Sequence, residues 1–252
     1  MSFRPNFLSC LSFWSRLPVG TREPLPPFAI AVSALPITAL VIAVPSALTL
    51  AASLSIGAPY LVAAMLAVGM MALLTGALHE DGLADCADAL AGATPERRLA
   101  IMKDSRNGTF GTLALIFSVF LRVAALAALA QTSLLLGCLA LLAAAVVSRV
   151  ACLTPLALLP PARADGAGFA AGAPDSNSLR VATVGATLGA ALPLFAGASA
   201  GITVLAAFVA VGAAFFVTSQ ARKKIGGQTG DVAGAAQQLA EISYLVALSA
   251  AA

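Results

Sequence analysis

Six stretches of this chain, near residues 28–51, 57–78, 109–130, 134–159, 181–199 and 201–218, are apolar and long enough to cross a bilayer, which takes about 20 helical residues. Backbone groups inside lipid find no water to bond, so such segments fold as helices that satisfy themselves. A shorter apolar run from Leu239 to the C-terminus offers a seventh span of borderline length. Hydrophobic residues make up 60% of the chain and charged residues only 10%, far from the balance of a soluble domain. The expectation is an all-α, polytopic integral membrane bundle of about six to seven transmembrane helices, one domain over residues 1–252. Pro36, Pro45, Pro155 and Pro193 fall inside the spans and predict kinks. The Gly/Ala-rich GATLGAALPLFAGASAG predicts close helix–helix contacts.

The connections differ sharply in charge. One side gathers Arg4, Arg16, Arg22, Arg97, Arg98, Lys103, Arg106, Arg163, Arg180, Arg222, Lys223 and Lys224, whereas the turns near 52–56, 131–133 and 199–201 hold no Lys or Arg. Positive-inside bias assigns the basic side to the cytoplasm of a bacterial inner membrane. A net charge of +3 with no basic tract argues against nucleic acid. The cysteines Cys10, Cys86, Cys138 and Cys152 are scattered without metal-ligand spacing and read as small hydrophobes, not a disulfide framework. No charged n-region, apolar run and A-x-A site open the chain, so no cleaved signal is expected. FLSCLSFWSRLP instead predicts a short interfacial helix with Phe7, Leu11 and Trp14 on one face and Trp14 at headgroup depth.

Against this apolar background HEDGLADCADAL, residues 79–90, concentrates carboxylates. Asp81, Asp85 and Asp88 fall at i, i+4, i+7, within about 60° on a helix. Two like charges about 4 Å apart repel by about 4 kcal/mol at an effective dielectric of 20. Something must offset that cost. A solvated loop pairing its acids with Arg97, Arg98, Lys103 and Arg106 would account for Glu80 but poorly for three acids in register. A proton relay in a transporter is a second reading. The third, favoured by the spacing, is a divalent cation such as Mg²⁺ held by hard oxygen ligands with room for phosphate. His79, the one histidine, lies on a different face and reads as a supporting residue.

KDSRNGTFG follows, leading into the next span; Lys103, Ser105, Arg106 and Thr109 at a helix N-terminus suit phosphate. The last basic loop, RKKIGGQTGD, offers Lys224 and a Gly-rich turn of Gly226, Gly227, Thr229, Gly230 and Asp231; it lacks GxxxxGK[ST], so it is not a P-loop. Arg122 and Arg149 lie inside spans, where an arginine costs about 2.5–3.5 kcal/mol and must face the bundle. Pairing with an acid such as Glu241 is the expectation for Arg122; Arg149 is also a candidate for an anionic substrate group. A cation site between two phosphate-friendly turns, without a nucleophile dyad or redox motif, suits phosphoryl-type transfer by in-line displacement.

CDP-alcohol phosphotransferases are an obvious comparison, but DGLAD places Asp85 where their DGxxAR motif has Arg. The chain resembles the cobalamin synthase family at FLSFWSRLPV-like residues near the start, HEDGLADCADAL, RRLAIMKDSRNGTFG, the Arg149 segment leading to PPARADGAG, and GGQTGDVAGA, in order over nearly the whole length. Gln238 stands where many members have Glu, and Ala77 replaces a common Gly. The resemblance implies a catalytic domain whose substrates are adenosylcobinamide-GDP and α-ribazole or its 5′-phosphate, with GMP as leaving group and Mg²⁺ as cofactor. It implies Mg²⁺ on Asp81, Asp85 and Asp88, a proton acceptor at Asp88 or Asp104, and phosphate contacts from Lys103, Arg106 and the Gly226–Asp231 turn. The oligomeric state is left open, a homo-oligomer included; a CDP-alcohol-type transferase and a proton-coupled transporter remain the alternatives.

Overall fold

The structure is a computed structural model that describes residues 3–20 and 24–250; Arg22 of the basic side falls outside them. Thirteen α-helices follow in order: α1 (Phe3–Trp14), α2 (Phe28–Ala31), α3 (Leu35–Ser55), α4 (Tyr60–Thr75), α5 (Leu78–Asp88), α6 (Pro95–Ile101), α7 (Thr109–Thr132), α8 (Leu134–Ala151), α9 (Leu153–Leu158), α10 (Gly166–Ala171), α11 (Ser176–Ala190), α12 (Ala200–Ile225) and α13 (Gly230–Ser249). The described residues hold no strand, only an isolated bridge between Pro161 and Gln228. The all-α membrane bundle expected from composition is therefore what forms. Among the described residues five helical stretches are long and apolar enough to cross a membrane: Phe28–Ser55, Thr109–Thr132, Leu134–Leu158, Ser176–Ala196 and Ala200–Ile225. The short uncharged turns between them reuse one device. Ser133 Oγ accepts from Leu136 N and Ser199 Oγ from Ile202 N, each capping the helix that follows.

The remaining spans depart from the sequence reading. The stretch expected to cross at 57–78 ends as α4 at Thr75, and α5 leaves it at 91°. Gly76 (φ 65°) and Ala77 (φ 55°) both take left-handed backbone, and Ala77 N donates to Ala72 O at 2.8 Å, a Schellman-type stop. Ala77 is the only non-glycine residue with positive φ among those described, which explains why glycine suits this position. The acidic segment is thus no solvated loop but a helix folded back into the bundle, packed between α7 and α13.

The seventh segment starts at Gly230, not Leu239, and lies at the centre, against α5, α7, α8 and α12. Its hydropathy is depressed by Gln237, Gln238 and Glu241, all buried by protein rather than by lipid. They belong to an interior polar network. Arg122 Nη1 lies 2.9 Å from Glu80 Oε1 and 3.5 Å from Glu241 Oε1. Gln237 donates to Ser148 Oγ and Glu241, Gln238 to Gln237, and Ser118 to Gln238 Oε1. Arg122 therefore pairs with Glu241 as expected, while Glu80 pairs inward with Arg122, not with the loop cations, because α5 turns it into the bundle. A neutral Gln at 238 keeps the charges balanced, with Glu80 and Glu241 set against Arg122 and Arg149.

α1 also differs from its reading as a lipid anchor. Its buried face is Asn6, Ser9, Cys10 and Trp14, and Trp14 stacks on His79 with ring centroids 4.9 Å apart. Arg16 N donates to Leu74 O at 2.7 Å, docking the segment over the α4–α5 bend. All four cysteines are free, as expected.

At Gly82 the backbones of α5 and α13 touch; a Cβ there would stand 2.8 Å from Asp231 O and 3.2 Å from Gly234 Cα. Gly82→Ala should cost about 1–3 kcal/mol by overpacking, read as a lower unfolding midpoint in detergent. Ala77→Gly should raise that midpoint, by about 1 kcal/mol, since glycine adopts the left-handed backbone without strain.

Candidate active site

The Gly82–Gly234 crossing sets the site. It brings the aspartate face of α5 beside Asp231 in the first turn of α13. Asp85 is half-buried, crowded by Asp81, Asp231 and Asp88, with Arg163 as the opposing charge. Asp88 has a separate task. Its Oδ2 accepts from Gly108 N at 2.7 Å and its Oδ1 from Gly111 N at 2.8 Å, so it caps α7, and those glycines leave room for the carboxylate. The carboxylates of Asp81 and Asp85 make no hydrogen bond or ion pair among the described residues. The i, i+4, i+7 stripe therefore divides into two free carboxylates and one structural one, with Asp231, paired to Arg163, beside the free pair.

Arg163 reaches Asp231 Oδ2 at 3.2 Å and Asp165 Oδ1 at 3.4 Å, and Lys103 Nζ meets Asp165 Oδ2 at 2.6 Å. These four residues form a chain of alternating charge from the loop before α7, through the loop before α10, to α13. Sequence reasoning missed Arg163 and Asp165 as site residues. Their signal was PPARADGAG, noted only as part of a resemblance. Arg163 Nη1 is buried without a partner, an unused donor beside the carboxylates.

Asp104 accepts from Arg106 through N, Nε and Nη2, the last at 2.7 Å. The Arg106 hydrogen bonds push its carboxyl down to about 2, which makes it a poor proton acceptor. Arg106, Ser105 and Thr109 are exposed at the mouth. The glycine turn is largely occupied by its own fold. Gly226 takes φ 72° to end α12; Gly227 lies so close that a Cβ would be 2.5 Å from Pro160 O; Gln228 N donates to that carbonyl at 2.8 Å. Thr229 Oγ1 accepts from Val232 N and donates to Asp231 Oδ2, so it caps α13 and orients the aspartate; Gly230 begins that helix. Lys224 lines a cavity on the far side of α5 from the carboxylates.

Arg149 is fully buried, its Nη1 donating to Ala145 O at 3.3 Å and its Nη2 lying 3.2 Å from Met71 Sδ. It belongs to the interior network, not to the mouth. Beside Asp81 and Asp231 a cavity of about 70 Å³ is walled by Phe13, Trp14, His79 and Leu156. Trp14 Nε1 and His79 Nε2 have no partner. A cavity of about 680 Å³ between α8, α11 and α12 is nearly all apolar and holds none of the carboxylates.

Among the described residues, no three His, Cys, Asp or Glu side chains converge on one point. Mg²⁺ does not need such convergence: it commonly takes one or two carboxylates and completes its shell with water and substrate phosphate. Asp85, a hard oxygen donor without a protein partner, fits that donor set, with Asp231 and Asp81 adjacent.

The family model for cobalamin-5-phosphate synthase matches residues 6–249. Adenosylcobinamide-GDP ribazoletransferase of Azorhizobium caulinodans is 47% identical over 94% of this chain and 92% of its own. The proteins of that name from Allorhizobium ampelinum and Bradyrhizobium diazoefficiens are 42% and 44% identical over 99% and 95% of this chain, and over 98% and 91% of their own. No solved structure matches. With nearly its full length matched by the family model and by these relatives, the chain belongs to the cobalamin-5-phosphate synthase family.

Proposed function

We infer that the chain joins adenosylcobinamide-GDP to α-ribazole or its 5′-phosphate, the reaction for which its relatives are named. The observation that carries this reading is the pair of unpartnered carboxylates, Asp81 and Asp85, flanked by Asp231 and the Lys103–Asp165–Arg163 chain. A ribose hydroxyl of the acceptor attacks the cobinamide-side phosphorus. The new P–O bond forms as the bond to the GMP phosphate breaks, and GMP leaves with the electron pair. Asp81 takes the hydroxyl proton in preference to Asp88 or Asp104, whose oxygens are engaged by Gly108, Gly111 and Arg106. Asp85 and Asp231 would hold Mg²⁺, which would neutralise charge building on the diphosphate. Lys103 and Arg163 receive phosphate oxygens by exchanging them for Asp165 and Asp231, a swap between equivalent charge-assisted bonds. The basic end of the bundle, and with it this site, faces the cytoplasm of a bacterial inner membrane, in keeping with positive-inside bias.

The small cavity at the Asp81 end, about 70 Å³, offers aromatic walls against which the acceptor base would dock as the cavity widens. α-Ribazole carries a flat, mostly apolar bicyclic ring with one unsubstituted nitrogen, which matches aromatic walls and the free Trp14 N–H. Arg163, 3.2 Å from Asp231, sits beside that cavity, and Lys103 lies beyond it through Asp165; in-line displacement requires the acceptor and the leaving GMP on opposite faces of the phosphorus.

Protein purified in detergent with both substrates and Mg²⁺ should release GMP and form the corrinoid product, and EDTA should abolish both; folded protein without Mg²⁺-dependent product overturns the reading. Asp85→Asn should lower kcat about 100-fold or more with the unfolding midpoint kept. Trp14 is the one tryptophan, so α-ribazole should change its emission saturably while GMP does not. Trp14→Phe should raise KM for α-ribazole and leave KM for the GDP-linked substrate unchanged. An unaltered emission in turnover-competent protein would reject the cavity as the acceptor's place and leave the reaction standing.

A further inference from the structure

A second cavity, of about 220 Å³, lies behind α5 between that helix, α6, α12 and α13. α5 lines it with Leu83, Cys86 and Ala87, and Leu90 follows in the next turn. At 100° per residue these face away from Asp81, Asp85 and Asp88, so nothing held on the carboxylates reaches it. Its walls are otherwise apolar, and an aqueous anion would find few partners inside.

Its rim is basic. Arg98 and Lys224 both border it, and Arg98 Nη1 donates to Lys224 O at 3.1 Å while its Nε is buried without a partner. Arg97, Arg222 and Lys223 are neighbours in sequence. Among the described residues none of these five cations is ion-paired, whereas Lys103, Arg106 and Arg163 at the catalytic mouth all are. Of the five only Arg98 and Lys224 line the pocket; Arg222 Nη2 instead donates to Leu158 O at 3.2 Å, on the α9 side. A greasy slot rimmed by unpaired cations, on the basic end of a membrane bundle, matches one ligand chemistry: a phosphate attached to a hydrocarbon chain.

We propose that this pocket binds an anionic phospholipid, an acyl chain filling the slot and the headgroup phosphate resting on Arg98 and Lys224. The chain would pack on Leu83, Ala87 and Leu90 and brace α5 against α12 and α13 from behind. The lipid thereby supports the helix that presents the carboxylates without touching the reaction. The proposal does not rest on the identity of the substrates.

The test uses full-length protein stripped of lipid in detergent. Phosphatidylglycerol, phosphatidylcholine or inorganic phosphate is titrated while the unfolding midpoint is followed, and native mass spectrometry counts bound lipid. Phosphatidylglycerol should raise the midpoint by a few degrees and leave one adduct per chain; phosphatidylcholine and inorganic phosphate should do neither. Lys224→Gln, which leaves the Arg98 bond to the Lys224 carbonyl intact, should weaken the phosphatidylglycerol effect about fivefold, and R98Q/K224Q more. Ala221→Phe, which fills the slot and keeps the cations, should abolish the adduct. Should R98Q/K224Q fail to fold, Lys224→Gln and Ala221→Phe still decide the matter. Equal shifts from phosphatidylcholine or inorganic phosphate would overturn the proposal, as would an unchanged phosphatidylglycerol response in both single variants.

Discussion

The buried charge on Arg122 governs this architecture. A guanidinium at 1% exposure in the middle of α7 is tolerable only with carboxylates brought to it, and Glu80 and Glu241 come from two other helices. The pair at 2.9 Å fixes how far α5 slides along α7, and the contact at 3.5 Å fixes α13 against both. Removing one partner of such a pair costs about 3–5 kcal/mol because the other is left uncompensated. The depth of the pair matters as much. Arg122 lies about 20 Å along α7 from Thr109 by helical rise, while Asp88 caps the start of that helix. α5 is thereby pinned at its inner end by a salt bridge and at its outer end by its cap bonds.

Between those pins the aspartate face of α5 is positioned by glycine rather than by charge. Gly82 and Gly234 bring two helical backbones into contact, and close contact is what places Asp231 with Asp81 and Asp85. Like-charge crowding at that crossing is a cost the rest of the fold bears, through the interior network on one side and Arg163 on the other. In the proposed reaction, a diphosphate arriving with a counter-cation would relieve that repulsion on binding.

Much of this was legible beforehand. Apolar runs gave the spans because lipid enforces helices of known length, and the Lys/Arg asymmetry marked one end of the bundle. The carboxylate spacing on α5 survived as a helical face. What sequence could not supply was the fold-back at Gly76–Ala77, since periodicity does not report a change of direction between two helices. Without it Glu80 looked like a loop acid, Asp88 like a third ligand, and α13 like a borderline span. Buried polar residues on α13 lowered its hydropathy for the very reason that it is central. Arg163 and Asp165 went unread because their role depends on three loops meeting, which no local pattern encodes.

The central position of α13 has a consequence for how the protein is made. Membrane helices enter the bilayer in chain order, and Glu80 and Arg122 are both present once α7 has followed α5. They can neutralise one another early, which makes two otherwise costly insertions acceptable. Glu241, Asp231 and the glycine seam at Gly234 arrive only with the final helix. A bundle of the preceding twelve helices therefore holds the Glu80–Arg122 pair, an Arg149 still lacking its balancing acid, and an open slot. The carboxylate cluster is born when α13 docks, so the site becomes competent in a single late step of assembly and not piecemeal.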